Sequence, residues 1–548
     1  MTGGRSNATL LKGRIENKIL YSPYPKLKIP VCSVYTCVKS FLSVAGNRIV
    51  AVDYTTSYTR QELLRALERY AAGFQSQGLK MGDHVCVHMR NSVDAFVTVF
   101  SLIFAGATTV LAKTSLTHRE LLYQMTDGDA KYIVTDPPNA DKVRKVCDEM
   151  KMPEKARFIL GEAPGFTSIL GFALMDPKQF REVPVPDPRN TIAGISYTSG
   201  TTGLPKGVEI THFSFIANIV LSKDITASDE TDVFLAWNPI THMSGFLFTM
   251  LGICIGSTCV IVSPALTFNQ FVDVCNKYQV SSVFSFASRL QNLVNEMLRT
   301  NIKLEQVRKL SVGGSLVTET LARRAIQAFP MLHNFRNFYG MTETCGLIAN
   351  PGQDEIDFVD LGVPTPNVEI MILNKSNGQL MGPNEPGELL YRTPSIMRGY
   401  YKRPKETAEI LLKDGWCSSG DMIYYDHNGR LHYLERLKDM IKCMDNQVVP
   451  AEVENLILSM CPAVAEVCVL GLPHPEYGEA AAAFVVLHEH HKGEVTEDDI
   501  KKIVADNLSK QKHLYGGVYF PPSLPRTDTG KVRKNEIRKN PAYFEAQA

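Results

Sequence analysis

The chain has 548 residues, 44% of them hydrophobic and 21% charged, with a formal net charge of +1. That length predicts several lobes at roughly 100–200 residues each, the composition is that of a water-soluble globular protein, and the balanced charge leaves no bulk basic field for nucleic acid or an anionic membrane. Twelve cysteines without a Cys-x-x-Cys pair argue against a disulfide framework or a zinc site and for a reducing compartment.

No apolar core follows Arg5, Lys12 and Arg14, so no secretory signal is expected. The chain does not end in Ser-Lys-Leu, and the expected location is the cytoplasm, with peroxisomal association left open. Thr59-Arg-Gln-Glu62 reads as a capping box. Leu63, Leu64, Leu67, Tyr70, Ala71 and Phe74 follow at helical spacing, and Gly78 can close the helix. Val85, Val87 and Met89 alternate as a strand. A second helix is expected over 95–104 and a strand over 108–112. Thr117-His-Arg-Glu120 is another capping box, opening a helix to about residue 126 before a strand over 131–135. This alternation predicts a doubly wound parallel sheet.

Pro184, Pro186 and Pro188 mark a connector, after which residues 191–350 again mix apolar strands and helices. Phe246 to Leu266 raises the question of a membrane span, which needs about 20 apolar residues. Its Gly252, Gly256, Ser257 and Ser263, and the β-leaning Cys259-Val-Ile-Val262, make it a buried helix followed by a buried strand. Short alternating strands with Gly and Pro turns over 355–435 predict a small β-subdomain. The tail predicts a helix near 451–460, strands near 466–470 and 482–487, and a helix near 497–508. The expected boundary falls at 437–439, giving domains 1–437 and 438–548. A basic cluster of Lys531, Arg533, Lys534, Arg538 and Lys539 reads for the most part as a solvated helix start.

The most informative segment is Tyr197-Thr-Ser-Gly-Thr-Thr-Gly-Leu-Pro-Lys-Gly-Val208. Its glycines let backbone pass close to a ligand, successive N–H groups form an anion nest, and hydroxyls and Lys206 add donors and positive charge. This is chemistry for holding a polyphosphate. The Walker pattern fails, because Lys206 is followed by Gly207 and then by the extended-looking Val208-Glu-Ile210 instead of a helix. Tyr339-Gly-Met-Thr-Glu343 places a carboxylate beside a threonine after a glycine turn, a donor set that suits Mg²⁺ against a nucleotide phosphate. Pro525-Arg-Thr-Asp-Thr-Gly-Lys531 sets a lysine beside a glycine, able to deliver a point charge to phosphate.

These three segments, in this order, resemble the adenylate-forming superfamily of acyl-CoA synthetases, 4-coumarate:CoA ligase, firefly luciferase and peptide-synthetase adenylation domains. The resemblance covers about residues 30–540. It implies an α/β enzyme with a large N-terminal domain of doubly wound sheets plus a small β-subdomain, and a small mobile α+β C-terminal domain. It implies that Thr198, Ser199, Gly200, Thr201, Thr202, Gly203 and Lys206 cradle phosphate. By the same likeness Tyr339 stacks on adenine with Phe338 and Gly340 beside it, Thr342 bonds the α-phosphate, and Glu343 binds Mg²⁺. Gly313, Gly314 and Ser315, in Ser311-Val-Gly-Gly-Ser-Leu316, border adenine and the acyl pocket. Asp421, ending Trp416-Cys-Ser-Ser-Gly-Asp421, takes the ribose hydroxyls as a bidentate acceptor, although Cys417 and Ser418 depart from the family pattern. Arg436 reaches ribose or phosphate, and Lys442, which ends the same segment, is a further cofactor-binding residue. His242 orients the substrate carboxylate at the acyl-pocket mouth, and Lys531 is the catalytic lysine.

The implied reaction is attack of a carboxylate on ATP to give an acyl-adenylate and pyrophosphate. The small domain then turns about a hinge at Lys438 or Asp439, and CoA takes the acyl group as a thioester. Phe284-Ser-Phe-Ala287, with Met243, Ser244, Phe338 and Met341, would line an apolar acyl site for a fatty (medium- or long-chain) or aromatic acid. Asp445 stands where the family has a glycine on the face used with CoA, and either crowds that face or is a tolerated turn residue. If it crowds, Asp445→Gly speeds thioester formation; an unchanged rate removes that role. Two other functions stay open: a luciferase-like oxygenase using the same adenylate, and a non-catalytic nucleotide-binding protein.

Overall fold

The computed structural model describes residues 10–544 except 199–203, 227, 315–316, 354–355, 358–359, 445, 492 and 528–529; for 357 and 447 only the backbone is described. Ser199, Gly200, Thr201, Thr202, Gly203, Ser315 and Asp445 therefore lie outside the described residues.

Two β-sheets form the body. One has seven strands in the spatial order 206–211, 192–198, 108–111, 84–88, 132–135, 157–159 and 167–168. All are parallel except the outermost, Lys206–Thr211, which runs antiparallel to Ile192–Thr198. The other has eight strands in the order 356–357, 334–337, 309–313, 282–286, 233–236, 258–261, 49–52 and 57–59. It is parallel up to its last hairpin.

The connecting helices form where local chemistry specifies them. Both halves of the capping boxes are made, at Thr59 with Glu62 and at Thr117 with Glu120. The helix Val93–Phe104 is buried along its length except at Asp94, as expected of a helix sandwiched between layers. It meets Met243–Ile255 through Phe100 stacked on Phe246, centroids 5.0 Å apart. Residues 246–266 resolve into that buried helix and the strand Thr258–Ile261. Among the described residues no helix is long and apolar enough to cross a membrane.

The β-subdomain is a six-stranded antiparallel sheet, and here the sequence reading needs correction. Besides the expected strands Glu369–Leu373, Gly387–Arg392, Cys417–Tyr425 and Leu431–Arg436, it recruits Arg14–Glu16 and Ile19–Tyr21. Leu20 pairs with Ile370, and both are fully buried. The N-terminal segment is thus a structural strand pair, placed ahead of the span over which the family likeness was read. After Arg436 the chain makes one 3₁₀ turn, Leu437–Asp439, and enters a last sheet of 446–448, 441–443, 478–487 and 464–474, with Val518–Tyr519 alongside.

Candidate active site

The strand ends of both large sheets converge on one cleft, the usual ligand position in open α/β sheets. Ile192–Thr198 and Lys206–Thr211 run antiparallel with Thr198 opposite Lys206, so the two described ends of the glycine-rich run are held side by side. Gly207 is needed for that pairing, since a Cβ there would lie 2.7 Å from Ile195 Cγ2. The outer strand is locked to a loop of the β-subdomain, between Gly387–Arg392 and Cys417–Tyr425: Glu209 N–H donates to Gly399 O at 2.9 Å and Tyr401 N–H to Gly207 O at 2.8 Å.

That loop carries a residue the sequence reading missed. Tyr400 is buried, its hydroxyl donates to Glu343 Oε1 at 2.7 Å, and Lys206 Nζ stands 4.8 Å from its ring centroid. One side chain therefore bridges the phosphate-loop lysine and the expected metal carboxylate. Its signal was slight: a tyrosine after Arg398-Gly399, with no spacing that ties it to either partner. Glu343 itself is buried in the 3₁₀ turn Thr342–Thr344, and its carbonyl accepts from Met397 N–H at 2.8 Å. Gly340 pairs so closely with the next strand that a Cβ would lie 2.5 Å from Gly346 O.

At the other end of this group Asp421 is 1% exposed. Tyr339 donates its hydroxyl to Oδ2, Arg436 Nε lies 2.8 Å from Oδ1, and Asp421 N–H donates to Ser419 Oγ at 3.0 Å. Burial pushes the carboxyl above its usual range, while Arg436 and the Tyr339 hydroxyl oppose the shift. Despite the ion pair, Oδ1 receives no hydrogen bond of good geometry. A buried acceptor of this kind is costly alone and suits a ligand hydroxyl.

Lys531 reaches the same place from the last part of the chain. Gly530 takes φ +80° and rests directly on Ser288 of the helix Ala287–Thr300, leaving no room for a Cβ. Thr527 N–H donates to Lys531 O at 2.8 Å and Gly530 N–H to Thr527 O at 2.7 Å, while Arg526 pairs with Glu466 at 2.6 Å. Protein packed around the ammonium, and then Arg436, lower its pKa to about 8 against the pull of Asp421 and Glu343. The side chain still meets solvent at the cleft mouth. Of the basic cluster, Lys534 is not solvated as expected: its side chain is 19% exposed, 3.8 Å from Glu435, and its ammonium is held charged by Glu454 and Glu435.

His242 caps the helix Met243–Ile255, and the ring geometry fixes its tautomer. Ser244 N–H points to Nδ1 at 3.3 Å and Ser244 Oγ lies 2.8 Å away. Nδ1 is therefore an acceptor and the proton sits on Nε2. Burial, then the nearby charges of Lys113 and Lys531, hold His242 neutral well below the usual histidine range. It is an N–H donor and not a cation. Its ring meets Phe286 edge-on at 6.3 Å, and Phe286, Phe284, Phe338 and Phe248 follow in contact at 5.1–5.7 Å. Gly313 and Gly314 make room for this wall: a Cβ at Gly313 would lie 2.6 Å from the Phe338 ring, and one at Gly314 would lie 2.8 Å from Phe286.

The structure thus gathers Lys206, Glu343, Tyr339, Asp421, Arg436 and Lys531 around one space, with His242 and the glycines at its acyl side. Lys438 sits at the edge, its pKa lowered by burial, with Asp439 next to it in the 3₁₀ turn. Lys442 is different: it is exposed on Ile441–Cys443, its backbone N–H donates to Glu479 Oε2 at 2.8 Å, and among the described residues no hydrogen bond or ion pair ties it to Asp421 or Arg436. It lies in the next sheet, beyond the turn, because the strand carrying Arg436 has already ended.

A cleft of this kind, with a phosphate hairpin, a buried diol-type carboxylate and an inserted lysine, defines a nucleotide-using α/β enzyme. Residues 41–401 match the family model described as AMP-binding enzyme, and residues 452–531 match the AMP-binding enzyme C-terminal domain. The chain belongs to this family of adenylate-forming, ATP-dependent enzymes, of the acyl- and aryl-CoA ligase type. It is 26% identical to a probable 4-coumarate–CoA ligase 2 of Dictyostelium discoideum, over 97% of this chain and 99% of that one. It is 30% identical to the luciferin 4-monooxygenase of Photinus pyralis, over 92% and 93%. Among solved structures, ATP-bound MatB of Rhodopseudomonas palustris superposes with a TM-score of 0.82 at 23% identity, covering 93% of this chain and 99% of that one.

Proposed function

We propose that this enzyme joins a carboxylic acid to CoA in two steps, using ATP and Mg²⁺, and that the acid is compact, with an aromatic or medium-chain acyl group. The observation that carries the reading is the position of Lys531 beside Arg436, Asp421 and Glu343, with neutral His242 and an aromatic wall adjoining.

The residues divide the work as follows. Asp421, with a buried acceptor oxygen to spare, takes a ribose hydroxyl; Tyr339 and Arg436 hold that carboxylate still. The hairpin tip and Lys206 hold the β- and γ-phosphates. Glu343 is the carboxylate suited to Mg²⁺, which needs one or two carboxylates plus phosphate oxygens; among the described residues no larger cluster of His, Cys, Asp and Glu competes for a metal. Bound there, the ion would neutralise phosphate charge. His242 donates Nε2–H to the acid and orients its carboxylate. Lys531 meets the charge that grows on the α-phosphate as the carboxylate attacks and pyrophosphate leaves. Positioning and charge stabilisation carry such a reaction. Residues 1–437 and 438–548 are then two domains, with Lys438 and Asp439 as the hinge that withdraws Lys531 for the CoA step. The twelve free cysteines, eleven of them buried, support a cytoplasmic setting.

Pyrophosphate release with Mg-ATP over a panel of fatty, benzoic and cinnamic acids, with and without CoA, tests this. Turnover that needs CoA supports the ligase. A single CoA-independent burst leaves adenylation alone, and no release on any acid defeats the reading. The 30% identity to a luciferin 4-monooxygenase favours an oxygenase as second reading, which an absence of light with luciferin, Mg-ATP and O₂ would remove.

A further inference from the structure

The helix His118–Asp127 ends on a carboxylate, with no basic residue in its last turn. Negative charge at a helix C-terminus is unfavourable, so Asp127 needs compensation from elsewhere in the fold. Two distant segments supply it. Tyr197 donates its hydroxyl to Asp127 Oδ2 at 2.9 Å, from 70 residues away. Arg403 Nη2 donates to Oδ1 at 2.6 Å, from 276 residues away. Both carboxylate oxygens are taken, and the Asp127 side chain is only 10% exposed. Among the described residues no hydrogen bond or ion pair ties Asp127 to Lys206, Glu343, Asp421 or Lys531. Any part it takes in the reaction is taken through its two partners.

Each partner leads to the site by a different route. Tyr197 opens the glycine-rich segment and lies opposite Gly207 in the antiparallel pair. Tyr123, one turn before Asp127 on the same helix face, donates its hydroxyl to Pro205 O at 2.9 Å and meets the Tyr197 ring edge-on at 6.3 Å. One helix face therefore holds the chain on both sides of residues 199–203. Arg403 belongs to the loop that carries Tyr400, and its backbone N–H donates to Tyr400 O at 3.0 Å. The Tyr400 hydroxyl is bonded to Glu343 and its ring faces Lys206. Asp129 makes a second clamp on the same loop, taking Tyr401 at 2.8 Å and Lys402 at 2.6 Å. It is half-exposed, and exposed pairs contribute little. At Asp127 the loss of one partner leaves a secluded charge uncompensated, which costs far more.

We infer that Asp127 is a positioning residue for Mg-ATP: through Tyr197 it sets where the phosphate-holding segment begins, and through Arg403 it sets the loop that brings Tyr400 to Glu343 and Lys206. This rests on the nucleotide-using reading above. One carboxylate thus fixes the phosphate donors and the metal carboxylate relative to each other. Donors held in place beforehand need no rearrangement as charge develops, and a small misplacement of such groups is costly in rate. The two links are separable by substitution. Tyr197→Phe removes the first and keeps the ring against Tyr123. Arg403→Gln removes the second and leaves the Tyr197 bond. Asp127→Asn weakens both.

The test measures ATP binding by calorimetry, Mn²⁺ binding by electron paramagnetic resonance, pyrophosphate release, and thioester formation from preformed acyl-adenylate and CoA. Tyr197→Phe should weaken ATP about tenfold, as the loss of one bond to a charged group does, and leave Mn²⁺ binding unchanged. Arg403→Gln should weaken both ATP and Mn²⁺, and Asp127→Asn should do the same. KM for the acid and the thioester step should stay at wild-type values in all three, because the adenylate lacks the phosphates that the segment holds. In an Asp127→Ala background, Tyr197→Phe and Arg403→Gln should add no further loss, since their effects run through one group. Tyr197→Phe keeps every contact but one hydroxyl and guards against a folding defect in the charge variants. Unchanged ATP binding in Tyr197→Phe and Asp127→Asn, a loss shared equally by both half-reactions, or full additivity in the Asp127→Ala background overturns the inference and leaves the ligase standing. The expected binding pattern without pyrophosphate release on any acid upholds the inference and defeats the ligase.

Discussion

Replacing Lys531 perturbs the chemistry at one atom and leaves a pH signature that can be worked out beforehand. Protein packed around its ammonium and the neighbouring Arg436 favour losing the proton, Asp421 and Glu343 favour keeping it, Lys438 adds to the first side, and the balance lies near about 8 against an ordinary 10.5. The charged form is the active one, because a cation is needed against the α-phosphate. The pKa is lowered, so charge is present below about 8 and lost above it. The protonated fraction is ~0.9 at pH 7, ~0.5 at pH 8 and ~0.1 at pH 9. In pyrophosphate-release assays kcat/KM for ATP reports the free enzyme and should fall about tenfold from pH 7 to pH 9. The fall in kcat should come at higher pH, since bound triphosphate favours the ammonium. Lys531→Arg should carry its charge through this range and remove the alkaline fall. Lys531→Ala should lose ~10²–10³ in adenylation, the scale of one preorganised charge partner, and lose the fall too. Thioester formation from preformed acyl-adenylate should be unchanged. An alkaline fall that persists in Lys531→Ala, or pyrophosphate release there at the wild-type rate, would refute this assignment.

Further expectations attach to neighbouring residues. Asp421→Asn keeps the shape but removes the anion that Arg436 and Tyr339 hold; KM for ATP should rise ~30–100-fold, as losing charge-assisted hydrogen bonds does, with the acid's KM little changed. Tyr400→Phe deletes the hydroxyl on Glu343 and keeps the ring under Lys206; the Mg²⁺ needed for half-maximal pyrophosphate release should rise about tenfold, and Mn²⁺ binding followed by electron paramagnetic resonance should weaken in parallel. His242→Ala should raise KM for the acid, and because His242 is neutral throughout, the wild-type profile should show no acid limb between pH 6 and 7 that this variant lacks. Phe338→Ala removes the ring that meets Phe284 and Phe248; longer acids should gain activity, measured as kcat/KM over a chain-length series.

What could be read from the sequence follows from how each feature is encoded. The phosphate hairpin, the Thr59 and Thr117 caps and the Gly530-Lys531 loop are specified by consecutive residues whose backbone demands are local, so their elements could be placed in advance. Glu343, Asp421 and Lys531 were legible for the same reason: each sits in a short run with glycines and hydroxyls. The contacts that set their chemistry were not. Tyr400 reaches Glu343 across 57 residues, Phe284 meets Phe338 from a distant segment, and Leu20 pairs with Ile370. Such pairs depend on which strands the topology brings side by side, and nothing in either segment names its partner. Lys442 shows the opposite limit: a lysine close in sequence to Arg436 lies on the next sheet because one 3₁₀ turn intervenes, and its distance from Arg436 could not be read from their spacing. Phe338 joins both kinds of information. Its place before Tyr339 was legible, but its role depends on Gly313, whose missing Cβ is the space its ring occupies. The nucleotide end of the cleft is therefore written in local motifs, while the acyl end is written in pairs of distant residues. This is why the sequence could indicate the reaction class and not the acid, and why the acid has to be sought at the acyl end, where Phe338 meets Phe284 and Phe248.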